Sequence, residues 1–504
     1  MSIDKIIVSN KSVLKQKYGK NFTKLEAALK KLVAHDKTNG IVSKLIWLDD
    51  STSMKPFSAP VVKVADQSSL VKKAIDALAK KIKPDYFLIV GAPDVIPHCE
   101  LENLIFTEDS DDDDDIVPSD LPYACNSKLS AKISDFVAPN RVLGRLPDIA
   151  GSSDHTYLLN LISNITTQKP KEAKEYLNYF ALSNESWSLS SEESVKNMFS
   201  DTTKLKLVPL KIAGFTKKEL SALIHFYNCH GSSDYPAFTG EAANGDQHDC
   251  FFAKYLKKKV ATATVVAVEC CYGAQLYDPG FAEVAPSICN TYLGEGAAGY
   301  MGSTTIAYGP AAGQGLADLI TQYFIRNVLK GMSLGRAFLD AQLRFVEKCG
   351  KRIDPHELKT LGQFLLLGDP SQHLVKIATA VSKIDGKSIS SKSIQLKRKD
   401  RREKLVSWAK SVDETTWRPF ATVDAPKVKT IVRAAVREKK FDDGSHLTFK
   451  FKTKTGLHEP APDAVCHVFF TRKAVEKKRF PLCEARVITE EAGEILDVKN
   501  YVRK

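Results

Sequence analysis

Residues 262–273 read TATVVAVECCYG, an apolar run that gives way to Glu269, Cys270 and Cys271 at its end. An uninterrupted apolar run of this kind is typical of a strand buried on both faces of a parallel sheet. In open parallel sheets, functional groups collect just beyond the carboxyl ends of the strands. The polar end of this run therefore predicts a functional site at the edge of a buried sheet.

A second apolar run, ALIHFYNCHGS at residues 222–232, ends in His230 and Gly231. A histidine and a cysteine at neighbouring strand ends can face one substrate. A free thiol has a pKa of ~8.5, so an imidazole that takes its proton raises the thiolate fraction and can later protonate a leaving amine. Glycine lets the backbone come close, and the N–H groups of Gly231 and Cys271 would bind the oxyanion of the acyl intermediate. This pair of strand ends predicts thiol proteolysis.

Strand-like and helical patterns alternate through the first three quarters of the chain. Apolar residues within 71–82 repeat at helical spacing, and Pro84 ends that pattern before the buried run YFLIVG at 86–91. Further strand-like runs lie at 141–143, 179–182, 205–210, 224–228, 262–268, 297–301 and 364–367, with a helical stretch at 311–348 that is broken near Gly331. Alternating strands and helices predict an α/β fold with parallel sheets covered by helices.

The last quarter of the chain has a different pattern. At ~150 residues per domain, a chain of 504 residues holds several domains. A Ser- and Lys-rich segment at 382–404 is interpreted as a linker, and residues 446–454 alternate apolar and polar side chains as in a half-buried strand. We therefore expect a smaller β-rich domain at 386–504.

Charge also separates this C-terminal domain from the rest. The chain has 72 Lys and Arg against 60 Asp and Glu, and residues 386–504 hold 28 and 16 of them, so that this domain carries the entire net charge of +12. Lys450, Lys452 and Lys454 alternate with aromatic residues, and residues 477–479 form a basic cluster. Nucleic-acid binding is one interpretation, and a sheet with a solvated basic face explains the pattern equally well.

Two groups of residues raise the question of metal sites. The five aspartates at 111–115 lack the alternating ligands and the glycine of a calcium loop, so they are interpreted as a solvated loop. A thiol and imidazole group could suggest zinc, but its spacing suits a structural zinc site poorly. Its members are Cys229, His230, His248, Cys250, Cys270 and Cys271. Because no P-loop or dinucleotide fingerprint occurs either, we expect neither metal nor cofactor.

The sequence predicts a soluble, cytoplasmic protein. The N-terminal residues 1–10 contain no apolar segment and cleavage site of a secretory signal, and the longest apolar runs stop short of the ~18 residues needed to span a bilayer. Ten cysteines among 504 residues are a modest density, and we expect them to be reduced.

Four further segments, taken with the two strand ends, resemble the gingipain-type family of clan CD cysteine peptidases, the clan that includes caspases and separases. They follow in the family's order over about residues 85–375. These segments are SDLPY at 119–123, RVLGRLP at 141–147, GYMGST at 299–304 and FLLLGDPS at 364–371. The resemblance implies a caspase-like fold in two tandem subdomains, here 1–165 and the catalytic 166–385, and the activity of a cysteine endopeptidase.

The resemblance also implies roles for individual residues. Cys271 would be the nucleophile, since the family has a cysteine followed by x-Gly after an apolar strand, and Cys270 takes the small-residue position before it. His230 would be the general acid and base. Asp120, in the Ser-Asp-x-x-Tyr stretch, is a candidate for orienting the histidine, with a capping or surface role as the alternative.

A substrate pocket is implied in the same way. Arginine-specific relatives carry an acidic residue shortly before the Gly-Arg strand, and Asp135 is the best match, with an exposed turn aspartate as the alternative. An aspartate there would pair with a P1 Arg or Lys, and Ser303, Thr304 and Tyr308 would form the pocket wall.

Two functional hypotheses remain at this point. The first is a regulated intracellular endopeptidase that cleaves protein or peptide substrates after Arg or Lys. The second is a non-catalytic pseudoprotease scaffold whose basic C-terminal domain binds a protein or nucleic-acid partner. In the first case, the C-terminal domain is a candidate site for an activating or targeting partner.

Overall fold

The computed structural model describes residues 3–106, 112–208, 214–310, 312–376, 383–384, 387–388, 391–417, 446–452, 464–473, 482–491 and 494–504. Residues 209–210 of one predicted strand, the first of the five aspartates, parts of the predicted linker, Lys454 and the basic cluster at 477–479 lie outside these residues. Within the described part, no helix has the length and apolar character needed to cross a membrane.

The described elements are numbered here in chain order. The strands are β1 (Lys5–Ser9), β2 (Ser43–Trp47), β3 (Tyr86–Val90), β4 (Cys99–Glu102), β5 (Ile116–Ser119), β6 (Val142–Leu146), β7 (Tyr179–Asn184), β8 (Leu205–Val208), β9 (Ile224–Asn228), β10 (His230–Gly231), β11 (Ala237–Glu241), β12 (Gln247–Phe252), β13 (Val265–Val268), β14 (Gly299–Ser303), β15 (Tyr308–Gly309), β16 (Phe364–Gly368), β17 (Lys383–Ile384), β18 (Lys387–Ser388), β19 (Glu414–Trp417), β20 (His446–Lys452), β21 (Ala464–Lys473), β22 (Leu482–Glu491) and β23 (Glu494–Arg503). The helices are α1 (Lys11–Tyr18), α2 (Phe22–Thr38), α3 (Ser51–Met54), α4 (Ser68–Ile82), α5 (His155–Thr167), α6 (Ser188–Phe199), α7 (Lys217–Leu220), α8 (Ile288–Gly294), α9 (Leu316–Leu329), α10 (Leu334–Cys349), α11 (Pro355–Gln363) and α12 (Ser391–Ala409).

The main sheet has ten strands in the order β2-β1-β3-β6-β16-β14-β13-β9-β7-β8. Strands β14 and β16 run antiparallel, and the other neighbours in the sheet run parallel. This confirms the predicted α/β fold. The sheet is continuous across residue 165, because β16 joins the N-terminal strands to the strands of the catalytic segment.

Strand β13 shows why the central apolar runs form this sheet. Val265 and Ala267 belong to the hydrophobic core on one face, whereas Val266 and Val268 belong to the core on the other face. All four residues are buried. A strand covered on both faces needs apolar residues at every position, as the sequence predicted.

Local sequence signals also placed the helices. In α4 the predicted apolar residues Val71, Ala74, Ile75 and Leu78 are all buried. The long helical stretch divides into α9 and α10, and Gly331 lies between them with a φ of 75°. That φ falls in the left-handed region that favours glycine, so the helix breaks there.

The C-terminal region is an antiparallel sheet in the order β15-β23-β22-β21-β20-β19. This confirms a β-rich C-terminal region, and in β20 Phe449 and Phe451 are buried while Lys450 is partly exposed. Strand β15 comes from the loop after β14, so the C-terminal sheet is continued by a strand that lies beside the predicted site.

Two loop predictions differ from the structure. Most of α12 lies in the segment interpreted as a linker, and the helix continues beyond it to Leu405 and Ala409, which are buried in the core. Asp112, interpreted as part of a solvated loop, is fully buried and pairs with Lys359. Asp114 accepts hydrogen bonds from the Tyr272 hydroxyl and from the Ile306 N–H, both at 2.8 Å. Asp112 and Asp114 therefore turn inward, where a lysine and several hydrogen-bond donors satisfy their carboxylates, whereas Asp113 and Asp115 are exposed as predicted.

Candidate active site

Cys271 lies in a tight turn just beyond the carboxyl end of β13. Its side chain is buried, and its Sγ accepts a hydrogen bond from the Ala307 N–H at 3.2 Å. The next residue, Tyr272, has a φ of 54°, a backbone strain found at functional turns. Burial raises the pKa of the Cys271 thiol to about 11, although Arg503 and the Ala307 N–H lower it in part. The thiol is therefore protonated at neutral pH in this conformation.

His230 lies in β10, directly after β9, the neighbour of β13 in the main sheet. Its Nε2 lies 2.7 Å from Oε2 of Glu241 in β11. Because a carboxylate oxygen accepts, Nε2 carries the proton of the neutral ring and Nδ1 carries the lone pair. Burial lowers the pKa of His230, and Glu241 opposes that effect. His230 is thus a neutral base whose tautomer is set by Glu241.

Gly231 brings the histidine and cysteine turns together. A Cβ added at Gly231 would lie 1.8 Å from the carbonyl oxygen of Cys271, so a larger residue would collide with the backbone of that turn. The strand ends predicted to share a site are therefore in direct contact. The Cys271 N–H, one of the two predicted oxyanion donors, points to a carbonyl oxygen at 3.4 Å. That oxygen belongs to Lys504.

The end of β23 lies in the cleft between β15 and Cys271, where a substrate peptide would bind. Residues 502–503 pair antiparallel with β15, opposite Gly309 and Tyr308. The Lys504 N–H donates to the Ala307 carbonyl at 2.9 Å, and the Lys504 carbonyl oxygen contacts the Cys271 thiol. The backbone of 502–504 thus runs across Cys271 in an extended conformation.

The side chain of Lys504 fills a buried pocket beside Cys271. Its Nζ lies 3.3 Å from Oδ1 of Asp318 in the first turn of α9, and both side chains are fully buried. The same Nζ lies 4.9 Å from the ring centroid of Trp187, within the range of a cation–π contact. A Cβ at Gly309 would lie 2.3 Å from Cε of Lys504, so glycine keeps the pocket open for a long side chain.

A comparison with known families places most of the chain in one of them. Residues 2–375 match the model of peptidase family C25. The chain belongs to peptidase family C25. It is therefore a clan CD cysteine peptidase of gingipain type, as its segments had predicted. A search of curated proteins finds no match for this C25 peptidase.

Solved structures similar to the C25 peptidase are distant from it. A structure described as "Structure of Protease" has 13% identity and a TM-score of 0.47, and the match covers 99% of this chain and 97% of that one. Two structures of the Saccharomyces cerevisiae separase–securin complex have 18% and 16% identity and TM-scores of 0.31 and 0.29. Each covers 47% of this chain and 14% of the other. At these scores the likenesses carry no argument about function.

A second acidic residue stands behind Asp318 in the pocket of the C25 peptidase. Glu269, two residues before the nucleophile, interacts with Asp318 and accepts a hydrogen bond from Thr321 Oγ1 at 2.9 Å. Burial and the Asp318 carboxylate raise the pKa of Glu269 well above its usual range. Burial beside Asp318 thus favours the protonated form of Glu269, and the two acids then present one negative charge to one cation.

The structure corrects the expected role of Asp120. Its carboxylate accepts from Arg145 Nε at 2.8 Å and Nη2 at 2.6 Å, and it pairs with His98 Nδ1 at 2.8 Å. It therefore orients a histidine, but that histidine is His98. The residue paired with His230 is Glu241, which the sequence analysis did not identify.

The acidic pocket residue also differs from the expected one. Asp135 lies in an exposed turn, where it accepts a hydrogen bond from Ser130 Oγ at 2.6 Å. Asp135 is therefore an exposed turn aspartate, which was the alternative to the pocket role. The acids beside Lys504 are Asp318 and Glu269. Glu269 had a recognisable signal, since it is a carboxylate at the polar end of the buried strand. Asp318 had none, because it is an ordinary first-turn residue of a helix.

The three residues expected in the pocket wall hold the loops around the site. Ser303 Oγ donates to the Cys270 carbonyl at 2.8 Å, and Thr304 Oγ1 donates to the Pro118 carbonyl at 2.8 Å. Tyr308 contributes its backbone to the pairing with Arg503, and its hydroxyl donates to Asp112 at 3.0 Å. Ser303 therefore supports the nucleophile turn, and Tyr308 forms part of the cleft that the strand occupies.

Proposed function

We propose that this C25 peptidase is an endopeptidase that cleaves after a basic residue, with Cys271 as nucleophile and His230 as general acid and base. Glu241 acts as the positioning residue of His230. The main support for the proposal is the position of Lys504. Its carbonyl oxygen contacts the Cys271 thiol, and its ammonium group lies against Asp318. A P1 lysine of a substrate would take the same place, and an arginine offers the same charge.

A substrate bound in the position of Lys504 could be hydrolysed in the following steps. His230 Nδ1 takes the thiol proton as Sγ bonds to the P1 carbonyl carbon, and the Cys271 N–H stabilises the resulting oxyanion. When the tetrahedral intermediate collapses, the C–N bond breaks and His230 gives the proton to the leaving amine. Water then loses a proton to His230 and attacks the thioester. The C–S bond breaks, the product acid leaves, and the proton returns to the cysteine sulfur.

Selectivity for a basic P1 residue follows from the charge of the pocket. Asp318 and the protonated Glu269 bear one net negative charge in a buried space, which an uncharged P1 side chain would leave uncompensated. Leaving a buried charge unpaired costs several kcal/mol. The cation–π contact with Trp187 adds to the preference for a cation.

The test is labelling with an acyloxymethyl ketone that carries lysine at P1, read by mass spectrometry of the modified peptide. We expect labelling at Cys271, its loss in Cys271→Ala, and its retention in the neighbouring control Cys270→Ala. Hydrolysis of a fluorogenic peptide with P1 lysine should follow the same pattern. A folded protein that neither labels nor cleaves, with the C-terminal strand displaced as described below, would instead be the pseudoprotease scaffold.

A further inference from the structure

The C-terminal strand contacts the catalytic residues directly. We infer that residues 502–504 act as a tethered, substrate-like inhibitor, which the C-terminal sheet holds in the active site until that sheet is displaced. This inference rests on the proposed peptidase activity and adds its regulation. A protein substrate can reach Cys271 only after these residues have left the cleft.

The backbone contacts show that the segment takes the place of a substrate rather than a nearby surface. Pairing with β15 and the bond from the Lys504 N–H to the Ala307 carbonyl align the segment beside the cleft. The bond from the Cys271 N–H uses an oxyanion donor. An incoming peptide needs the same edge of β15 and the same donor, so the two cannot bind together.

Side chains add a second set of substrate-like contacts. Lys504 occupies the acidic pocket, and Arg503 Nη1 lies 4.0 Å from Asp113 of the acidic loop. Two consecutive basic residues thus face two acidic sites, one in the N-terminal segment and one in the catalytic segment. The net positive charge of the C-terminal domain is complementary to this cleft.

The occupied cleft also keeps the catalytic pair in an unreactive state. Cys271 is only 1% exposed, and its raised pKa keeps the sulfur protonated. Arg503 and Lys504 both lower the pKa of His230, which disfavours proton transfer to its ring. Once the strand leaves, water can reach the thiol and the two cationic side chains are gone.

The strand is anchored away from the catalytic residues. Lys499 Nζ lies 2.7 Å from Glu357 Oε1 and 3.2 Å from Asp354 Oδ2, and the Tyr501 hydroxyl donates to Asp354 at 2.9 Å. These acids lie at the start of α11, whereas residues 494 and 496–498 of β23 are exposed. The contacts of β23 with α11 are therefore separate from the catalytic residues, and the C-terminal sheet is also held there by a shared hydrophobic core and by the pair of Arg352 with Glu491. A partner that competes for these contacts would displace the inhibitor without touching the catalytic machinery.

A tether of this kind acts through effective concentration. A linked segment experiences a local concentration of the order of mM, so even a peptide with an intrinsic dissociation constant of ~10–100 μM would block ~90–99% of the sites. A substitution that abolishes binding of residues 502–504 to the cleft should therefore raise the rate of peptide hydrolysis about 10- to 100-fold.

The experiment compares full-length Lys504→Glu with Lys504→Arg. Glutamate cannot pair with the acidic pocket, so Lys504→Glu should raise both hydrolysis of the P1-lysine peptide and labelling of Cys271 about 10- to 100-fold. Lys504→Arg keeps the cation and should stay close to the starting rate. The synthetic peptide Asn-Tyr-Val-Arg-Lys, with the sequence of residues 500–504, should inhibit the Lys504→Glu enzyme competitively.

The possible failures are distinguishable. If the starting protein and Lys504→Glu cleave equally fast, the inhibitor proposal is wrong and the proposed activity stands. If Lys504→Glu and Lys504→Arg rise together, the acidic pocket does not hold the segment and the inhibitor proposal is again wrong. If every form is folded, as judged by thermal unfolding, and none cleaves or labels, the proposed activity itself fails.

Discussion

Lys5 and Lys504 are both fully buried lysines that face a pair of acids, yet their surroundings differ. Lys5 Nζ contacts Asp369 and Asp36, and it donates to Ser371 Oγ at 3.0 Å. Lys504 Nζ lies at the longer distances of 3.3 Å from Asp318 and 3.5 Å from the Pro310 carbonyl. The first ammonium group is closely surrounded by hydrogen-bonding oxygens, and the second is held more loosely.

The backbone around each lysine differs in the same sense. Lys5 begins β1, an interior strand of the main sheet with β2 on one side and β3 on the other. Lys504 follows β23, which meets the catalytic segment through the two residue pairs with β15 and through the contacts of Lys499 and Tyr501 with the start of α11. A buried lysine on an interior strand of the main sheet can leave only by unfolding, whereas Lys504 can withdraw with its strand. Burial alone therefore does not separate a structural ion pair from an exchangeable ligand.

The largest effect expected on stability comes from Lys5. Lys5→Ala would leave Asp369 and Asp36 buried without their cation, and breaking a buried pair costs about 3–5 kcal/mol of unfolding free energy. Lys504→Ala should cost at most about 1.4–2.7 kcal/mol, the free energy of a 10- to 100-fold docking preference, since its strand can withdraw and admit water to Asp318. Chemical denaturation of both variants measures the difference. Lys30→Ala, in an exposed pair with Glu26, is the surface control and should stay within about 1 kcal/mol. Equal losses for Lys5 and Lys504 would contradict the distinction between them.

The next effect concerns which acid in the pocket recognises the cation. Asp318→Asn removes the negative charge, so kcat/KM for a P1-lysine peptide should fall by about 30- to 1,000-fold, as for truncation of a buried charge pair. Glu269→Gln should change it by less than about 5-fold, because the raised pKa of Glu269 already keeps that group neutral and glutamine has its shape. Both are measured in the Lys504→Glu background, where the cleft is open. A larger loss of kcat/KM in Glu269→Gln than in Asp318→Asn would show that Glu269, and not Asp318, carries the negative charge.

Asp135→Asn serves as the exposed control for both acids. Its carboxylate lies in a turn with Ser130, so its loss should leave the preference for a basic P1 residue unchanged. A strong loss of cleavage after lysine in this variant would show that Asp135 is the acidic pocket residue, as the family resemblance implied.

Much of the fold and the contact between the turns of His230 and Cys271 could be predicted because their signals are local. The run before Cys271 marks a doubly covered strand, and Gly231 after His230 marks a close backbone approach. Asp318 and Glu241 escaped prediction because their role depends on tertiary contacts. Asp318 meets Lys504, which is far away in sequence, and Glu241 meets His230 only because β11 folds back on β10. The motif around Asp120 was recognised, but its partner Arg145 could only be found in the folded protein.

The smallest of the expected losses concerns Glu241, which acts on the reaction through His230. Glu241→Gln removes the carboxylate that raises the pKa of His230, so the limb of the pH–rate profile that reports this group should move to lower pH. We expect kcat to fall by about 10- to 100-fold, less than the ~10²–10⁴-fold contributed by the proton carrier itself because Glu241 acts only through His230, with KM nearly unchanged. Glu241→Asp, which keeps the charge, should restore the pH profile more than the rate. A variant that loses rate with an unshifted profile would show that Glu241 only supports the packing of β11, and the buried pair of His230 would then resemble the structural pair of His98 with Asp120.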